Sequence, residues 1–370
     1  ACALAQGLPT LLAARVLQGL GGGGLIALAF TVIADCIPPR EVGKYQGYIS
    51  AVYAVSSIAG PLLGGYFTEQ LSWRWIFWIN LPLGALALWL VNRNLGHLNV
   101  RRHSRFDWKG AGLLITVTTL SLLLLSPETA LSAIWLAAGL ALALLLLILV
   151  ERRAQDPILP AHLARLPGYL VSVLLALASQ LLMFAVLVYL PLQMQWQKGM
   201  GASESGLYMV IFMVCITAGA FVGGKLIGRT GYYKRFVVVG FALAALALWQ
   251  IHFDLFANLG LGFAGLGLGL VLPALSVVVQ NALPREDRGI GMSLFNFGRE
   301  LGGAVGVAIC AVLFHGALPA GTSHNLASLS PAELAPGFSA TYVGMALIAS
   351  AALLITLLAL KRHELASIPA

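Results

Sequence analysis

A glycine-rich apolar stretch near the start of the chain recurs, in altered form, near its end. Residues 19–41 read GLGGGGLIALAFTVIADCIPPRE, and residues 265–286 read GLGLGLVLPALSVVVQNALPRE. When the two Pro-Arg-Glu triplets are aligned, Gly22 falls on Gly267 at an offset of 245 residues. The chain therefore contains an internal repeat, and each copy ends at a charged loop.

The composition around the repeat is that of a membrane protein. The 370 residues are 59% hydrophobic and 10% charged, with a mean hydropathy of +0.89. A soluble domain carries about 25% charged residues. Runs such as AGLLITVTTLSLLLL (111–125) show no period-two alternation, which a transmembrane β-strand requires. The sequence therefore predicts an all-α integral membrane fold.

Apolar runs of the length that crosses a bilayer, roughly 20 residues, recur along the whole chain. We predict eleven spans, at residues 10–34, 46–67, 75–92, 110–126, 131–150, 169–192, 206–228, 236–252, 257–281, 290–314 and 338–360.

The loops between these spans differ in charge. Alternate loops hold eighteen of the 22 basic residues, and the opposite set holds only Arg74 and Lys198. By the positive-inside rule the basic set faces the cytoplasm, so the protein is expected in the cytoplasmic (inner) membrane with a cytoplasmic C-terminus. The basic set comprises Arg40, Lys44, Arg93, Arg101, Arg102, Arg105, Lys109, Arg152, Arg153, Arg165, Lys225, Arg229, Lys234, Arg235, Arg285, Arg288, Lys361 and Arg362.

The repeat continues into the next span. GPLLG (60–64) aligns with GGAVG (302–306) at an offset of 242, so spans one and two match spans nine and ten. Internal repeats of this kind are typical of secondary transporters. If each half is a six-span bundle, two extra spans lie between the halves and three spans precede the chain, which makes fourteen spans in total.

This count predicts the domain organisation. Residues 1–93 form the remainder of an N-terminal bundle, and 169–360 form a C-terminal six-helix bundle that is pseudo-symmetric to it. The intervening and final segments are a basic cytoplasmic loop (94–109), two linker spans (110–150), a second cytoplasmic loop (151–168) and a cytoplasmic tail (361–370).

Four stretches resemble motifs of the fourteen-span drug:proton antiporters of the major facilitator superfamily, and the resemblance covers essentially the whole chain. RVLQGLGGG (15–23) is similar to the fourth-helix motif, and GPLLGG (60–65) to the fifth-helix antiporter motif. WRWIFWINLPLG (73–84) resembles the entry to the sixth helix, and GGKLIGRTGYYKR (223–235) a degenerate cytoplasmic gating loop. The gating-loop residues that match are Gly224, Arg229, Gly231, Lys234 and Arg235.

The resemblance implies a major facilitator fold and proton-coupled efflux (antiport) of hydrophobic or cationic drugs by alternating access. The protein would then be no enzyme, and would use the proton gradient rather than a cofactor. Expected partners are the lipid bilayer, a small hydrophobic substrate, protons and, in a Gram-negative host, a periplasmic adaptor; nucleic acid is not expected. Two alternatives stay open: export of an endogenous metabolite, lipid or siderophore, and a truncated chain that transports nothing.

Arg15 and Gln18 lie three residues apart and therefore on one helix face. The resemblance implies that Arg15 faces the transport cavity and takes part in proton coupling. The alternative is that Arg15 extends its guanidinium to the nearby outer surface of the membrane. Gln18 and Gly19 are expected at a helix contact, because small residues allow helices to approach closely in lipid. A dinucleotide loop is rejected for Gly19, Gly21 and Gly24, because no strand precedes them.

Two glycine ridges occupy matching places in the halves. Gly60 and Gly64, with Ser56, have small-xxx-small spacing, which favours helix packing. The second ridge consists of Gly298, Gly302 and Gly306. Pro61 removes a backbone hydrogen bond, and the resemblance implies that the Gly60, Pro61, Gly64 and Gly65 segment prevents proton leak.

Arg299 and Glu300 are the charged pair inside span ten, and Glu300 is the acid placed deepest in any span. Desolvation at mid-depth favours the neutral, protonated carboxyl group, so Glu300 is a candidate proton carrier or cation site. Arg299 beside it is a second candidate for proton coupling. A structural ion pair with Arg299 or Arg15 is the alternative. Adjacent helix positions point about 100° apart, so we do not expect Arg299 and Glu300 to face each other.

Aromatic residues inside the spans are candidates for lining a drug pocket, although most are expected to make ordinary helix or lipid contacts. The candidates are Tyr53, Phe184, Tyr189 and Phe295. The histidines and cysteines have no metal-site spacing, and no Walker loop or HExxH motif is present, so we predict no metal site and no ATP-driven pump.

Overall fold

A computed structural model describes residues 1–36, 42–95, 107–126, 132–154, 157–166, 168–253, 257–284, 287–319 and 329–360. The tail at 361–370 and most of the loop at 94–109 lie outside the described residues.

The described part of the chain is helical throughout and contains no β-strand. The predicted all-α fold is therefore confirmed. Ten of the eleven predicted spans each overlap one helix, and the span predicted at 75–92 is divided between two helices, with a break at Ile79. The helices are α1 (Leu8–Cys36), α2 (Val42–Gln70), α3 (Trp75–Trp78), α4 (Asn80–Leu95), α5 (Trp108–Leu124), α6 (Ala133–Glu151), α7 (Tyr169–Trp196), α8 (Ala202–Thr230), α9 (Tyr233–His252), α10 (Ala257–Ala282), α11 (Arg288–Gly316) and α12 (Pro331–Ala359).

Helix length and composition fit a bilayer. Among the described residues, eight segments are long and apolar enough to cross a membrane: α3 with α4, and each helix from α6 to α12. Helices α1 and α2 have 29 residues each, which is about 43 Å at 1.5 Å per residue and exceeds the hydrocarbon thickness of about 30 Å. Helix α5 is apolar and has 17 residues.

The chain divides into two compact units. Residues 1–104 and 201–210 form the first, and residues 105–200 and 211–370 form the second. Helix α8 therefore begins in the first unit and continues in the second.

Helix α7 contacts several other helices of the second unit. It packs against α10, α11 and α12, while α9 packs against α10 and α12, and α5 against α6. The largest fully buried side chains include Phe241, Phe295, Phe338 and Tyr342. Helices α9 and α10 approach backbone to backbone, since a Cβ on Gly240 would lie 2.6 Å from the Gly267 carbonyl oxygen. Close approach through glycine is how helices associate in lipid, where no hydrophobic effect drives them together.

Few of the described side chains of the first unit are buried. The buried hydrophobic residues among them are Cys2, Ala3, Ala5, Ala14 and Met209. None of the segment Trp75–Asn94 is buried by protein. An apolar helix of this kind is compatible with a bilayer, because its backbone polar groups are bonded within the helix and lipid surrounds its side chains.

Three side-chain contacts lie near the predicted ends of the spans. On the side with few basic residues, the Arg74 guanidinium donates to the Ala5 carbonyl at 2.9 Å. On the basic side, the Lys234 ammonium donates to the Leu357 carbonyl at 2.9 Å, and His162 Nε2 lies 3.0 Å from Asp287 Oδ2. Each contact joins two segments predicted for the same side of the membrane.

Candidate transport site

The Arg15 side chain is bonded within its own helix face. Its Nη1 donates to Gln18 Oε1 at 2.9 Å, and its guanidinium carbon lies 5.9 Å from the centroid of the Phe77 ring. Cys2 Sγ lies 3.5 Å from the same Gln18 oxygen. The i, i+3 spacing thus joins Arg15 and Gln18, and the arginine is exposed at the surface of its unit.

Gly19 meets no neighbouring helix in the described structure. A Cβ on Gly19, Gly21, Gly22 or Gly23 would find no other atom within 4 Å. The helix contact predicted for Gln18 and Gly19 is therefore not matched by a contact among the described residues, and Gln18 bonds to Arg15 instead.

The antiporter motif lies against the first turns of α8. A Cβ on Gly65 would lie 3.2 Å from Ser203 Cα, and one on Gly206 would lie 3.2 Å from the Pro61 carbonyl oxygen. A Cβ on Gly60 or Gly64 would meet no described atom within 4 Å outside the backbone of its own helix. Pro61 is inside α2, where its missing N–H weakens the helix ladder. The close approach thus uses Pro61 and Gly65 rather than the predicted ridge of Gly60 and Gly64.

Glu69, one helical turn beyond Gly65, adds hydrogen bonds from a carboxylate to this contact. Its Oε1 accepts the Ser203 backbone N–H at 2.7 Å, and its Oε2 accepts the Ser203 hydroxyl. The carboxylate therefore caps the N-terminus of α8, where backbone N–H groups lack partners and the helix dipole favours an anion. The Ser203 hydroxyl and then its N–H lower the pKa of Glu69 below the usual 4.5. Glu69 lies beyond the predicted span 46–67.

Sequence reasoning missed this role of Glu69, although a signal was present. Glu69 follows Gly65 by four residues and so lies on the same helix face. The partner stretch, Gly201 to Ser205, has the composition of a helix start. Nothing in the sequence states that these two segments meet.

The second glycine ridge, on α11, packs against α7 in register. A Cβ on Gly298 would lie 2.9 Å from Val173 Cγ1, and one on Gly306 would lie 2.6 Å from the Leu181 carbonyl oxygen. Between them, a Cβ on Gly302 would overlap the Leu177 carbonyl. Both helices contribute a residue every four positions, so the contact runs along two full turns.

The expectation that Arg299 and Glu300 do not face each other is wrong. Arg299 Nη2 donates to Glu300 Oε1 at 2.8 Å, and the two side chains are 27% and 56% exposed. The long arginine side chain bridges the angle between adjacent helix positions. Arg299 Nε is buried and has no partner among the described atoms, so Glu300 supplies the counter-charge for a partly buried cation.

The candidate aromatic residues occupy different environments. Phe295 and Tyr189 are buried in the protein core, and the Tyr189 ring lies 6.0 Å from that of Phe314. Phe184 packs on Gly303, where an added Cβ would lie 3.0 Å from its ring. The side chain of Tyr53 lies outside the described residues.

The segment matched to a gating loop forms the turn between α8 and α9. Gly231 has φ of +72° and donates its N–H to the Ile227 carbonyl at 2.9 Å, which is a left-handed cap at a helix end. Arg235 lies over the Tyr232 ring at 4.5 Å, and Lys234 holds the last turn of α12. A Cβ on Gly224 would meet no described atom within 4 Å outside its own helix. Arg229 is exposed in the last turn of α8.

A buried polar group on α7 was also missed. The Tyr342 hydroxyl of α12 donates to Gln193 Oε1 at 2.7 Å, which joins two helices by a side-chain bond. Ser172, Ser179 and Gln180 of α7 are buried as well, and Gln180 Oε1 has no partner among the described atoms. Polar residues in an apolar span are the sequence signal for such a group. Among the described residues, no group of three metal-ligating side chains is present.

The comparisons with known proteins agree on fold and family. The chain is 34% identical over 326 residues to an uncharacterized MFS-type transporter of Mycobacterium tuberculosis, covering 85% of this chain and 47% of the relative. It is 32% identical over 327 residues to the multidrug transporter protein MdtP of Bacillus subtilis, covering 85% and 60%. The chain spans about half the length of these curated relatives.

A solved structure shows the same fold. A bacterial homologue of the human lysosomal transporter Spinster, in an inward-facing and occupied conformation, aligns with a TM-score of 0.59 and 16% identity. The alignment covers 97% of this chain and 78% of that chain.

The helices, their length and these likenesses define a multi-pass membrane protein with a major facilitator fold, which is a transporter fold and not an enzyme fold. The model of the Major Facilitator Superfamily matches residues 1–307. The chain belongs to that superfamily.

Proposed function

We propose that the protein is a proton-coupled exporter of hydrophobic or cationic drugs, of the fourteen-span type, in the cytoplasmic membrane with its C-terminus in the cytoplasm. The name of the Bacillus subtilis relative, a multidrug transporter, supports the substrate class. The charge difference between the loops supports the orientation. Any periplasmic adaptor would depend on a Gram-negative host.

The observation that carries the proposal is the contact between the antiporter motif and α8. Gly65 and Ser203 approach at backbone distance, and the Glu69 carboxylate bonds both donors of Ser203. On the predicted topology this contact lies on the non-cytoplasmic side. Closing that side while substrate enters from the cytoplasm is one half of an alternating-access cycle.

Glu300 supports the proton step. Protonation of its carboxylate removes the negative charge that Arg299 bonds at 2.8 Å, and deprotonation restores the ion pair. A proton taken up on one side of the membrane and released on the other would thus make and break one defined bond. Arg15 is assigned a second part in coupling, with Gln18 fixing its guanidinium.

The test is ethidium transport in inverted membrane vesicles in which an inside-acid pH gradient is imposed. We expect gradient-driven ethidium uptake with the unmodified protein, and no uptake with Glu300→Gln at equal amounts in the membrane. Glu204→Gln, the same change at an exposed acid in the first turn of α8, serves as the control and should transport normally.

The same assay separates the alternatives. An exporter of an endogenous metabolite, lipid or siderophore would not transport ethidium or other dyes. The same vesicles would instead take up a compound from a cell extract when the pH gradient is imposed. A chain that transports nothing would give no gradient-linked flux with any compound.

A further inference from the structure

An apolar groove lies between α8, α9 and α10 and is separate from the residues assigned to transport above, apart from Arg235. It has a volume of about 350 Å³, at the lower end of the range for ligand sites. The lining residues are Gly219, Val222, Leu226, Arg235, Phe236, Val239, Leu266 and Leu270. Arg235 is the single charged residue among them.

The groove is open along the helices. Val222 and Val239 on its two walls are 46% and 47% exposed. The groove follows α8 from Gly219 to Leu226, a rise of seven residue steps or about 10 Å. Gly219 makes its floor, because a Cβ there would overlap the Leu266 carbonyl. An apolar channel with this length and an open side fits part of a hydrocarbon chain.

The charged end of the groove lies at the basic side of the protein. Arg235 is in the first turn of α9, and its exposed guanidinium lies over the Tyr232 ring at 4.5 Å. Tyrosine is enriched at the level of lipid headgroups. Lys225, Arg229 and Arg235 all belong to the loop set that the charge pattern assigns to the cytoplasm, where the leaflet is anionic.

We propose that this groove binds an anionic phospholipid of the cytoplasmic leaflet, with an acyl chain between α8, α9 and α10 and the headgroup phosphate at Arg235. Basic pockets between helices on the cytoplasmic side are suited to anionic headgroups. The charge of Arg235 supplies headgroup selectivity, and the apolar walls supply affinity for any acyl chain.

The experiment is photo-crosslinking of the purified protein with phosphatidylglycerol that carries a diazirine in one acyl chain. The matched probe is phosphatidylcholine with the same chain. We expect phosphatidylglycerol to label peptides of α8, α9 and α10 that line the groove. Arg235→Gln should reduce that labelling about fivefold, the factor for one basic residue at an anionic surface, and leave phosphatidylcholine labelling unchanged.

Three variants make the result specific. Arg93→Gln is the control, because Arg93 also lies over an aromatic ring, that of Trp89 at 5.3 Å, and does not line the groove. Arg235→Lys should retain most phosphatidylglycerol labelling, which distinguishes charge from loss of fold. Val239→Trp should fill the groove and reduce labelling by both lipids.

The proposal is overturned if both lipids label the groove equally with Arg235 intact. It is also overturned if the labelled peptides are not those that line the groove. It is also overturned if ethidium displaces the lipid at concentrations that saturate export, because the groove would then belong to the substrate path. The proposal shares the predicted orientation with the proposed function. The labelling does not depend on transport, so its failure is distinguishable from a failure of drug export.

Discussion

The carboxylates of Glu69 and Glu300 have different hydrogen-bond partners. Glu69 is bonded to a backbone N–H and a hydroxyl at a helix N-terminus, whereas Glu300 is bonded to the guanidinium beside it. The first arrangement favours a permanently ionised group at neutral pH. The second is an ion pair between neighbouring side chains, and the proposed proton coupling rests on breaking and re-forming it.

Glu69 should make the stability of the protein depend on pH in acid. The pKa of Glu69 is lowered in the folded protein, so its contribution is full above the unfolded pKa near 4.5 and is lost as pH falls below it. We expect the unfolding temperature of the unmodified protein to fall more steeply between about pH 5 and pH 3 than that of Glu69→Gln. Thermal unfolding in detergent measures this dependence. If the unfolding temperatures of the two proteins change in parallel with pH, the Glu69 carboxylate does not stabilise the fold through Ser203.

Two variants distinguish a proton-coupling role of Glu300 from a purely structural role as the ion-pair partner of Arg299. Glu300→Gln leaves Arg299 partly buried and uncompensated, so a loss of export has two explanations. If the pair is only structural, Arg299→Gln with Glu300→Gln restores both insertion and export. We expect the double variant to insert normally and still to lack gradient-driven ethidium transport, as measured in inverted vesicles.

At the scale of helices, glycine spacing decides which surfaces meet. The ridge of Gly298, Gly302 and Gly306 was visible in the sequence, and the structure places it on α7. The ridge of Gly60 and Gly64 was equally visible and has no contact among the described atoms. Spacing shows that a helix can pack closely but does not identify the partner, because the partner is set by the tertiary arrangement.

The α7–α11 contact should not tolerate a methyl group. A Cβ on Gly302 overlaps the Leu177 carbonyl, and backbone cannot move aside as a flexible side chain does. We expect Gly302→Ala to lower the free energy of unfolding by about 1–3 kcal/mol. Gly112 is in α5, and a Cβ there would meet no described atom within 4 Å outside its own helix. Gly112→Ala should therefore raise the free energy of unfolding by about 0.5–1 kcal/mol. Denaturant titration in detergent measures both, and equal effects would contradict the packing.

At the scale of the whole molecule, the sequence predicted the membrane class and the places of the apolar helices, because apolar length is a local property. Among the described residues, eight of the eleven predicted spans have the length and hydropathy of a membrane-crossing helix. It also predicted which loops share a side, and the Lys234 and His162 contacts agree. The Glu69–Ser203 and Gln193–Tyr342 bonds were not predicted. Each joins residues more than a hundred positions apart, and single polar residues carry no pattern that reveals such a partner.

The topology predicts which positions a membrane-impermeant maleimide reaches. With the native cysteines replaced by serine, Lys198→Cys should react in intact cells, because its loop is predicted to lie outside. Thr230→Cys, at the turn between α8 and α9, should react only after the membrane is opened. Labelling of both positions in intact cells would refute the predicted orientation.

Proton-coupled export requires that substrate and protons cross the membrane in opposite directions. It is tested most directly by reconstituting the purified protein in liposomes with an inside-acid pH gradient and following internal pH when ethidium is added outside. We predict that ethidium causes protons to leave the liposomes with the unmodified protein and not with Glu300→Gln. Ethidium uptake with no change in internal pH would contradict proton-coupled export.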